Sequence, residues 1–304
     1  MSQFPRIVIS NCTTRKAAGH AISIADVSHK GGALDTARRW KELVRSTPTR
    51  HTAGGLYRGR SISDATRVAS VVGGRLFVVS AGLGLLAADD PVPNYNLTVT
   101  PGSQVAAMLS NQGLELHRWW SAVTETSPSP LSRLVADSEV FLALPATYLR
   151  LVRQDLASIL PEALGRLWIF TSEAGREEVP AFIAPCVMPY DDRLETVPGY
   201  VGTRADFPQR ALRHFVERLS GHELPQEDGR GLVIGSLSKL TRRVLPPRVR
   251  VSDDEIRTLI RDRWGDCAGS SARLLRYLRD DAKVACEQGR FRGLWLSLKM
   301  EMEI

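Results

Sequence analysis

The stretch RLFVVSAGLGLLAADDPVPNYNLTVT, residues 75–100, decides the fold of this chain. Its first six residues, 75–80, form an apolar run of strand length and predict a buried β-strand. Residues 81–100 are rich in glycine, proline, aspartate and asparagine, which favour turns, and predict a long loop. A buried strand that leads directly into a long polar loop is typical of sheets that bind ligands beyond their strand ends.

Apolar runs of the same kind predict further strands at residues 6–10, 139–144, 167–171 and 181–188. The helical spacing of apolar residues predicts helices at residues 35–44, 63–72, 114–123, 130–136, 148–160 and 207–219. Strands that alternate with helices indicate an α/β fold, with a parallel or mixed sheet and helices on both faces. We expect the ligand site between the loops that follow residues 6–10 and 75–80.

The C-terminal part of the chain differs in composition from the rest. We divide the chain into an α/β domain at residues 1–220, a polar, glycine-containing linker at 221–248 and a helical domain at 249–304. Three short helices in the last segment, with basic residues on the second and third, predict a helix-turn-helix or winged-helix unit that binds DNA. A small helical bundle packed on the first domain is the alternative. The candidate DNA-binding residues of this segment are Arg273, Arg276, Arg290 and Arg292.

The charge of the chain indicates a nucleic-acid partner. Lysine and arginine total 40 against 33 acidic residues, a formal net charge of +7, and only six of these cations are lysines. Arginine binds phosphate in bidentate geometry and stacks on flat rings, so this excess favours nucleic acid over a membrane surface. A GC-rich genome, which raises the arginine content for no functional reason, is the alternative explanation.

The sequence also predicts the location of the protein and its cofactor needs. No apolar run approaches the ~18–20 residues of a membrane span, and the N-terminus lacks the pattern of a signal peptide. We therefore expect a cytoplasmic monomer that binds double- or single-stranded DNA and no membrane. The spacing of its four cysteines does not suggest a metal site, so we expect reduced thiols, no metal and no cofactor.

The loop at residues 81–100 contains residue types that suit binding of a nucleotide. Small residues at the strand exit permit a close approach of ligand to backbone. Two prolines hold a pair of aspartates in place, and a tyrosine between two asparagines offers a stacking face beside amides that bind base edges. A surface turn is the alternative, because these are also the usual turn residues. The candidates are Ser80, Gly82, Asp89, Asp90, Asn94, Tyr95 and Asn96.

Three motifs resemble those of the YaaA family and its relatives in phages and bacteria. VVSAGLGLLAADDPVPNYNLTV, residues 78–99, is similar to the family's strand, its Ser-(Ala/Gly)-x-Tyr-Gly-Leu-Leu turn, an acidic residue and a Pro-Tyr step. ISNCTTRK, residues 9–16, resembles a polar loop with cysteine and lysine. AGGLYRGRSISDA, residues 53–65, resembles a Leu-Tyr-x-Ser element. The motifs occur in the family's order, although Leu83 stands where the family has Tyr and Asn94 precedes Tyr95 where Pro is usual.

The resemblance implies an α/β fold that binds DNA, with a distant fold-level similarity to the uracil-DNA-glycosylase-like domains of base-modification enzymes. Cleavage of an N-glycosidic bond needs a carboxylate, an aromatic ring for the extruded base, and amides or cations around it. We assign the carboxylate role to Asp90, with Asp89 as its alternative, and expect Asn11 to position the base or water. The predicted substrate-binding residues are Cys12, Lys16, Tyr57, Arg58, Ser80, Gly82, Asn94, Tyr95 and Asn96, and the predicted phosphate contacts are Arg15 and Arg60.

The leading hypothesis from the sequence is a DNA glycosylase, an enzyme that removes a modified base in DNA repair or in defence against phages with modified DNA. Two alternatives stay open. One is a non-enzymatic DNA-binding stress protein, as the resemblance to the YaaA family suggests. The other is a nucleoside or nucleotide hydrolase with an incidental basic surface.

Overall fold

The computed structural model describes residues 4–17, 19, 21–124, 130–242 and 247–302. The chain divides into two compact units, Met1–Arg243 and Val244–Ile304. Among the described residues, no helix combines the length and the apolar character that are needed to cross a membrane.

The first unit is built on a mixed, mostly parallel sheet. Its five strands lie in the order β5-β4-β1-β8-β9, in which β4, β1, β8 and β9 are parallel and β5 is antiparallel to β4. Two short pairs, β2 with β7 and β3 with β6, lie outside this sheet. The strands are β1 (Arg6–Asn11), β2 (Ile22–Ser23), β3 (His51–Thr52), β4 (Arg75–Ser80), β5 (Gly84–Ala87), β6 (Pro91–Val92), β7 (Tyr95–Asn96), β8 (Glu139–Ala143) and β9 (Leu167–Phe170).

Helices follow most of these strands. The α-helices of the first unit are α1 (Ala33–Ser46), α2 (Ala53–Leu56), α3 (Arg60–Val71), α4 (Gln104–Asn111), α5 (Leu116–Thr124), α6 (Pro130–Asp137), α7 (Ala146–Leu151), α8 (Arg153–Ala157), α9 (Glu173–Arg176), α10 (Phe207–Arg213) and α11 (Gln226–Ser238). Short 3-10 helices cover Ile24–Asp26, Pro161–Arg166, Ala181–Cys186, Asp192–Thr196, Arg204–Asp206 and Gly221–Glu223, and a π-helical turn, His214–Arg218, continues α10.

A hydrophobic core lies on each face of the sheet, because successive side chains of a strand point to opposite sides. Ile7 and Ile9 of β1 belong to a core with Trp40 of α1, whereas Val8 belongs to a second core with Phe215. Strands β8 and β9 show the same alternation. This arrangement confirms the predicted α/β class with helices on both faces of the sheet.

Residues 81–100, predicted as a loop, contain β5, β6 and β7, and two further segments also differ from the sequence prediction. Residues 181–188, predicted as a strand, form the 3-10 helix Ala181–Cys186, and Pro185 within it lacks the N–H that a sheet ladder requires. Residues 221–248, predicted as a linker, contain α11, and the first unit extends to Arg243. The side chains of Val233 and Leu237 on α11 are fully buried in the second core, which explains why this segment folds with the first unit. Within the predicted linker, residues 243–246 lie outside the described residues.

Within residues 247–302, the second unit contains three helices, α12 (Asp253–Asp262), α13 (Ser271–Asp280) and α14 (Gln288–Met302). Ser252 caps α12, and the side chain of Glu255 accepts a hydrogen bond from the backbone N–H of Ser252, which completes a capping box. The three helices enclose a small core of their own, which includes Ile256, Ile260, Leu274, Leu278 and Leu298. The helical character of this unit is therefore shown, whereas its DNA-binding role stays a prediction.

His214 makes the stability of the first unit dependent on pH. Its ring is buried, and Nδ1 lies 2.9 Å from the Tyr190 hydroxyl. Burial, and to a smaller extent the charge of Arg218, lowers the pKa of His214 to about 4. Since the unfolded state keeps the ordinary pKa of 6.5, it binds more protons than the folded state between these two values.

We therefore expect the free energy of unfolding to fall as the pH decreases from about 6.5 towards 4. The variant His214→Asn should lose that part of the pH dependence while carboxylate titration continues. Urea denaturation of both proteins at several pH values measures the difference. Parallel curves for the two proteins over this range would contradict the assignment.

Candidate functional site at the carboxyl edge of the sheet

The order of the strands makes β1 the topological switch point of the sheet, the position at which open α/β sheets form a ligand crevice. From β1 the chain continues to β4 on one side, and it later returns to β8 on the other side. The loops that leave the carboxyl ends of β1 and β8 therefore diverge, which in open α/β sheets creates the usual ligand position. Cys12 at the end of β1 and Tyr148 on α7, which follows β8, approach each other at this position.

Three buried hydroxyl groups form a hydrogen-bonded chain next to this crevice. Ser80 Oγ lies 2.7 Å from the hydroxyl of Tyr95, which lies 2.9 Å from the hydroxyl of Tyr57. Burial raises the pKa of both tyrosines, so both keep their protons. The chain joins the end of β4 to β7 and to the residue that follows α2.

Cys12 and Tyr148 form a second buried pair. The sulfur of Cys12 lies 3.0 Å from the Tyr148 hydroxyl, which is also 3.3 Å from the Cys12 carbonyl oxygen. Burial raises the pKa of Tyr148 above its ordinary value. The sequence analysis did not select Tyr148. Attention to polar residues after every parallel strand would have found it, because it follows the strand at residues 139–143.

Lys16 brings an amine to the same edge. Its backbone forms an isolated antiparallel bridge with Tyr57, and its Nζ donates to the carbonyl of Thr13 at 3.3 Å. Nζ also lies 4.5 Å from the ring centroid of Tyr95 and 5.9 Å from that of Tyr57. The side chain is half-buried, and this burial lowers the pKa of Lys16, while the nearby Cys12 acts in the opposite direction.

Two tryptophans hold the loop that follows β4. Trp40 Nε1 donates to the carbonyl of Gly82 at 2.7 Å, and Trp119 Nε1 donates to that of Ala81 at 2.8 Å. A Cβ atom at Gly82 would lie 3.0 Å from the ring of Tyr95 and 3.3 Å from Trp40 Nε1. Glycine at this position therefore provides space for the Tyr95 and Trp40 rings, not for the ligand predicted from the sequence.

Asn11 belongs to a buried network inside the protein. Gln209 on α10 donates from Nε2 to Asn11 Oδ1 at 2.9 Å and to the carbonyl of Ala143 at 2.8 Å. Asn11 in turn donates from Nδ2 to the carbonyl of Cys12 at 2.9 Å. Both ends of its amide are thus engaged within the chain, so Asn11 shapes the Cys12 loop instead of positioning a base or water.

The predicted carboxylates lie at the opposite end of the sheet. Strand β5 runs antiparallel to β4 and returns the chain to the amino end of β4, where Asp89 lies 3.7 Å from Arg75. Asp90 accepts a hydrogen bond from the backbone N–H of Ala87 at 2.7 Å and closes a turn. Ala87 pairs with Phe77, which lies three residues before Ser80, so at roughly 3.3 Å per residue this turn begins about 10 Å from Ser80. The prediction that Asp89 and Asp90 lie at the carboxyl edge beside Ser80 is therefore wrong.

The remaining predicted residues divide into engaged and exposed groups. Tyr57 and Tyr95 are fully buried and cannot receive an extruded base on their rings. Asn94 is buried and donates to the carbonyl of Gly19, and Asn96 is exposed on β7.

The three arginines predicted as binding residues in this unit differ in whether their side chains are engaged within the protein. Arg60 donates to the carbonyls of Val201 and Gly199 and pairs with Asp64, so it supports the fold. Arg15 and Arg58 have exposed side chains on neighbouring backbone segments, because the N–H of Arg58 donates to the Arg15 carbonyl at 2.9 Å. These two cations remain available to a ligand.

Comparison with known proteins gives no family for this chain. No family model matches, and neither the curated proteins nor the solved structures give a significant match. The resemblance to the YaaA family and the distant similarity to uracil-DNA-glycosylase-like folds therefore stay predictions. Among the described residues, no group of three or more His, Cys, Asp or Glu side chains lies close enough together to hold a metal ion.

Asp90→Ala should lower the stability of the first unit and leave the carboxyl edge of the sheet around Lys16 unchanged. Loss of the hydrogen bond to Ala87 should reduce the free energy of unfolding by about 1 kcal/mol. The rate at which Lys16 reacts with an amine-specific reagent at pH 8, followed by mass spectrometry, should not change. Asp89→Ala, which removes an exposed and loosely paired carboxylate, is the control and should change stability by less than about 0.5 kcal/mol. A large change in Lys16 labelling in a fully folded Asp90→Ala protein would contradict this placement.

Proposed function

We propose that the first unit cleaves the N-glycosidic bond of a modified nucleotide in DNA, and that the amine of Lys16 is the attacking group. The observation that carries this proposal is the position of the Lys16 amine above the Tyr95 ring at the carboxyl edge of the sheet. The proposal keeps the glycosylase inferred from the sequence. It replaces water activated by Asp90 with a nucleophile that belongs to the chain.

Burial shifts the protonation equilibrium of Lys16 towards the neutral amine. Burial has the largest influence on the pKa of Lys16 and lowers it. Tyr57 and Tyr95 stay protonated because burial raises their pKa, so their rings do not become phenolates that would stabilise an ammonium ion. When the pKa of a lysine is lowered, its amine nitrogen is unprotonated in a larger fraction of the molecules. Its free lone pair can then act as a nucleophile in imine chemistry.

Two exposed cations next to Lys16 suit the backbone of a nucleic acid. Arg15 precedes Lys16 in the sequence, and Arg58 is joined to Arg15 by a backbone hydrogen bond. Arg58 also lines a cavity of about 490 Å³ along α3, together with Gly59, Ser63 and Thr66. Guanidinium groups in this position can bind the phosphates on either side of a nucleotide that has turned out of its stack.

The reaction balances with water as its one co-reactant. The neutral amine nitrogen attacks C1′ of the deoxyribose, the bond between C1′ and the base breaks, and the base leaves with the bonding electron pair and takes one amine proton. The nitrogen lone pair then forms the C1′ imine while the bond between C1′ and the ring oxygen breaks, and the ring oxygen takes the second amine proton. Water then hydrolyses the imine, which restores the amine of Lys16 and releases an abasic site.

Borohydride trapping tests the attacking group without knowledge of the excised base. Duplex DNA that carries an abasic site presents an aldehyde at C1′, and reduction of its imine with Lys16 should give a covalent adduct visible on a denaturing gel. Lys16→Gln should reduce adduct formation by at least about tenfold, because the amide is not a nucleophile. Lys30→Gln, which changes an exposed lysine of the same unit, is the matched control and should react like the wild type. The trapping rate should rise with pH and level off below 10.5.

Three results would contradict the proposal in different ways. Equal adduct yield from Lys16→Gln and the wild type would assign the chemistry to another amine. Release of base from modified DNA by Lys16→Gln at the wild-type rate would favour activated water. No adduct from the wild type, and no base release from any modified DNA, would favour the non-enzymatic DNA-binding alternative.

A further inference from the structure

The second unit has a cleft that is rich in arginine. The space between α13 and α14 has a volume of about 800 Å³, and its walls include Arg248, Arg276, Arg279 and Arg292. A smaller cleft of about 500 Å³ shares Arg248 and Arg279 and adds Arg250 and Arg290. Six arginines therefore line two adjoining depressions in a unit of about sixty residues. The acidic residues on these walls are Asp280 and Glu287.

Some of these arginines support the fold and others are free to bind. Arg279 donates to the carbonyl of Cys286, Arg248 pairs with Asp280, and Arg290 pairs with Asp253. The side chains of Arg276 and Arg292, one on each wall of the larger cleft, are exposed, and neither forms an ion pair or a hydrogen bond with the part of the chain that the structure describes. Two uncompensated guanidinium groups that face one cleft attract a polyanion and do not stabilise the unit.

The aromatic residues of the cleft already have partners within the unit. Trp295 stacks on Trp264, with ring centroids 6.4 Å apart, and Lys299 lies 5.7 Å from its ring centroid. Its Nε1 donates to the carbonyl of Gly269 at 2.9 Å, and Phe291 is buried in the core of the unit. A site that binds single strands presents open aromatic faces to successive bases. This cleft instead presents guanidinium groups, whose contacts to phosphate oxygens carry no sequence information.

The charges of α12 argue against a role for this helix in the same contact. Its first turn contains Asp253, Asp254 and Glu255, and its arginines Arg257 and Arg261 pair with Glu301. A helix with an acidic start and compensated cations repels a phosphate backbone. The surface that suits DNA is thus formed by α13 and α14.

We propose that the cleft between α13 and α14 binds the phosphate backbone of duplex DNA, with Arg276 and Arg292 as its two contacts. The location follows from the second unit alone, and the choice of DNA as the ligand rests on the proposed function of the first unit. The site reads the charge and shape of the duplex and not its sequence. The proposed site includes Arg276 and Arg292 and excludes Arg273, which lies on α13 with Arg276 but does not line the cleft.

Fluorescence anisotropy with the full chain and labelled duplexes of two unrelated sequences tests this site. The double variant Arg276→Gln/Arg292→Gln should bind both duplexes roughly tenfold more weakly and equally so. The slope of log K against log salt should become shallower by about 1.8, since each lost phosphate contact contributes about 0.9. Arg273→Gln is the matched control, because it removes the same charge from the same helix outside the cleft, and it should keep the affinity. Circular dichroism should show that all variants are folded.

The outcomes distinguish this site from the chemistry of the first unit. At saturating abasic DNA, the double variant should form the borohydride adduct as fast as the wild type, whereas Lys16→Gln should form little adduct even at saturation. Unchanged affinity of the double variant would overturn the proposed site, even if trapping by Lys16 is observed. Tighter binding of a single strand than of the duplex, or an unequal loss for the two sequences, would overturn the assignment to backbone contacts.

Discussion

The hydroxyl groups of Ser80, Tyr95 and Tyr57 lie where water does not reach them, so each must find its partner within the protein. They do so in one chain that ties the end of β4 to β7 and to the segment after α2. The ring of Tyr95 is thereby fixed between Gly82 and the amine of Lys16. The position of the candidate nucleophile therefore depends on hydrogen bonds among residues that do not themselves react.

The sequence predicted the layers of the fold well, because strand runs that are buried on both faces are apolar throughout and helices between them keep their spacing. The predicted secondary structure was wrong where the local sequence pattern of a segment was typical of a different element. Residues 181–188 have the apolar character of a strand, but Pro185 prevents a ladder and the segment folds as a 3-10 helix. Helix α11 has many polar residues and three glycines, so its composition indicates a linker. The burial of Val233 and Leu237, together with hydrogen bonds from Gln226 and Arg230 to backbone carbonyls, stabilises it in the first unit.

The candidate site was predicted in part. Cys12, Lys16, Tyr57, Ser80 and Tyr95 come together at the expected edge, because the carboxyl ends of parallel strands lie side by side. Asp89 and Asp90 do not, because the residues after Gly84 form an antiparallel strand that carries the chain back along β4. A short strand inside a turn-rich segment gives no clear periodic signal. The sequence therefore could not reveal that six residues after Gly84 the chain is at the other end of the sheet.

The relocation of Asp90 changes which chemistry the edge can perform. A site with a carboxylate at the reacting carbon can activate water, whereas this edge gathers a thiol, three tyrosine hydroxyls and one amine. Burial keeps the hydroxyls protonated, and the sulfur of Cys12 is buried against Tyr148. Lys16 alone among these groups is only half-buried and has a pKa shifted towards its nucleophilic form. Partial burial of the Lys16 ammonium group opposes folding. A partly buried amine next to the exposed side chains of Arg15 and Arg58 is the arrangement expected of a reactive amine beside a phosphate backbone.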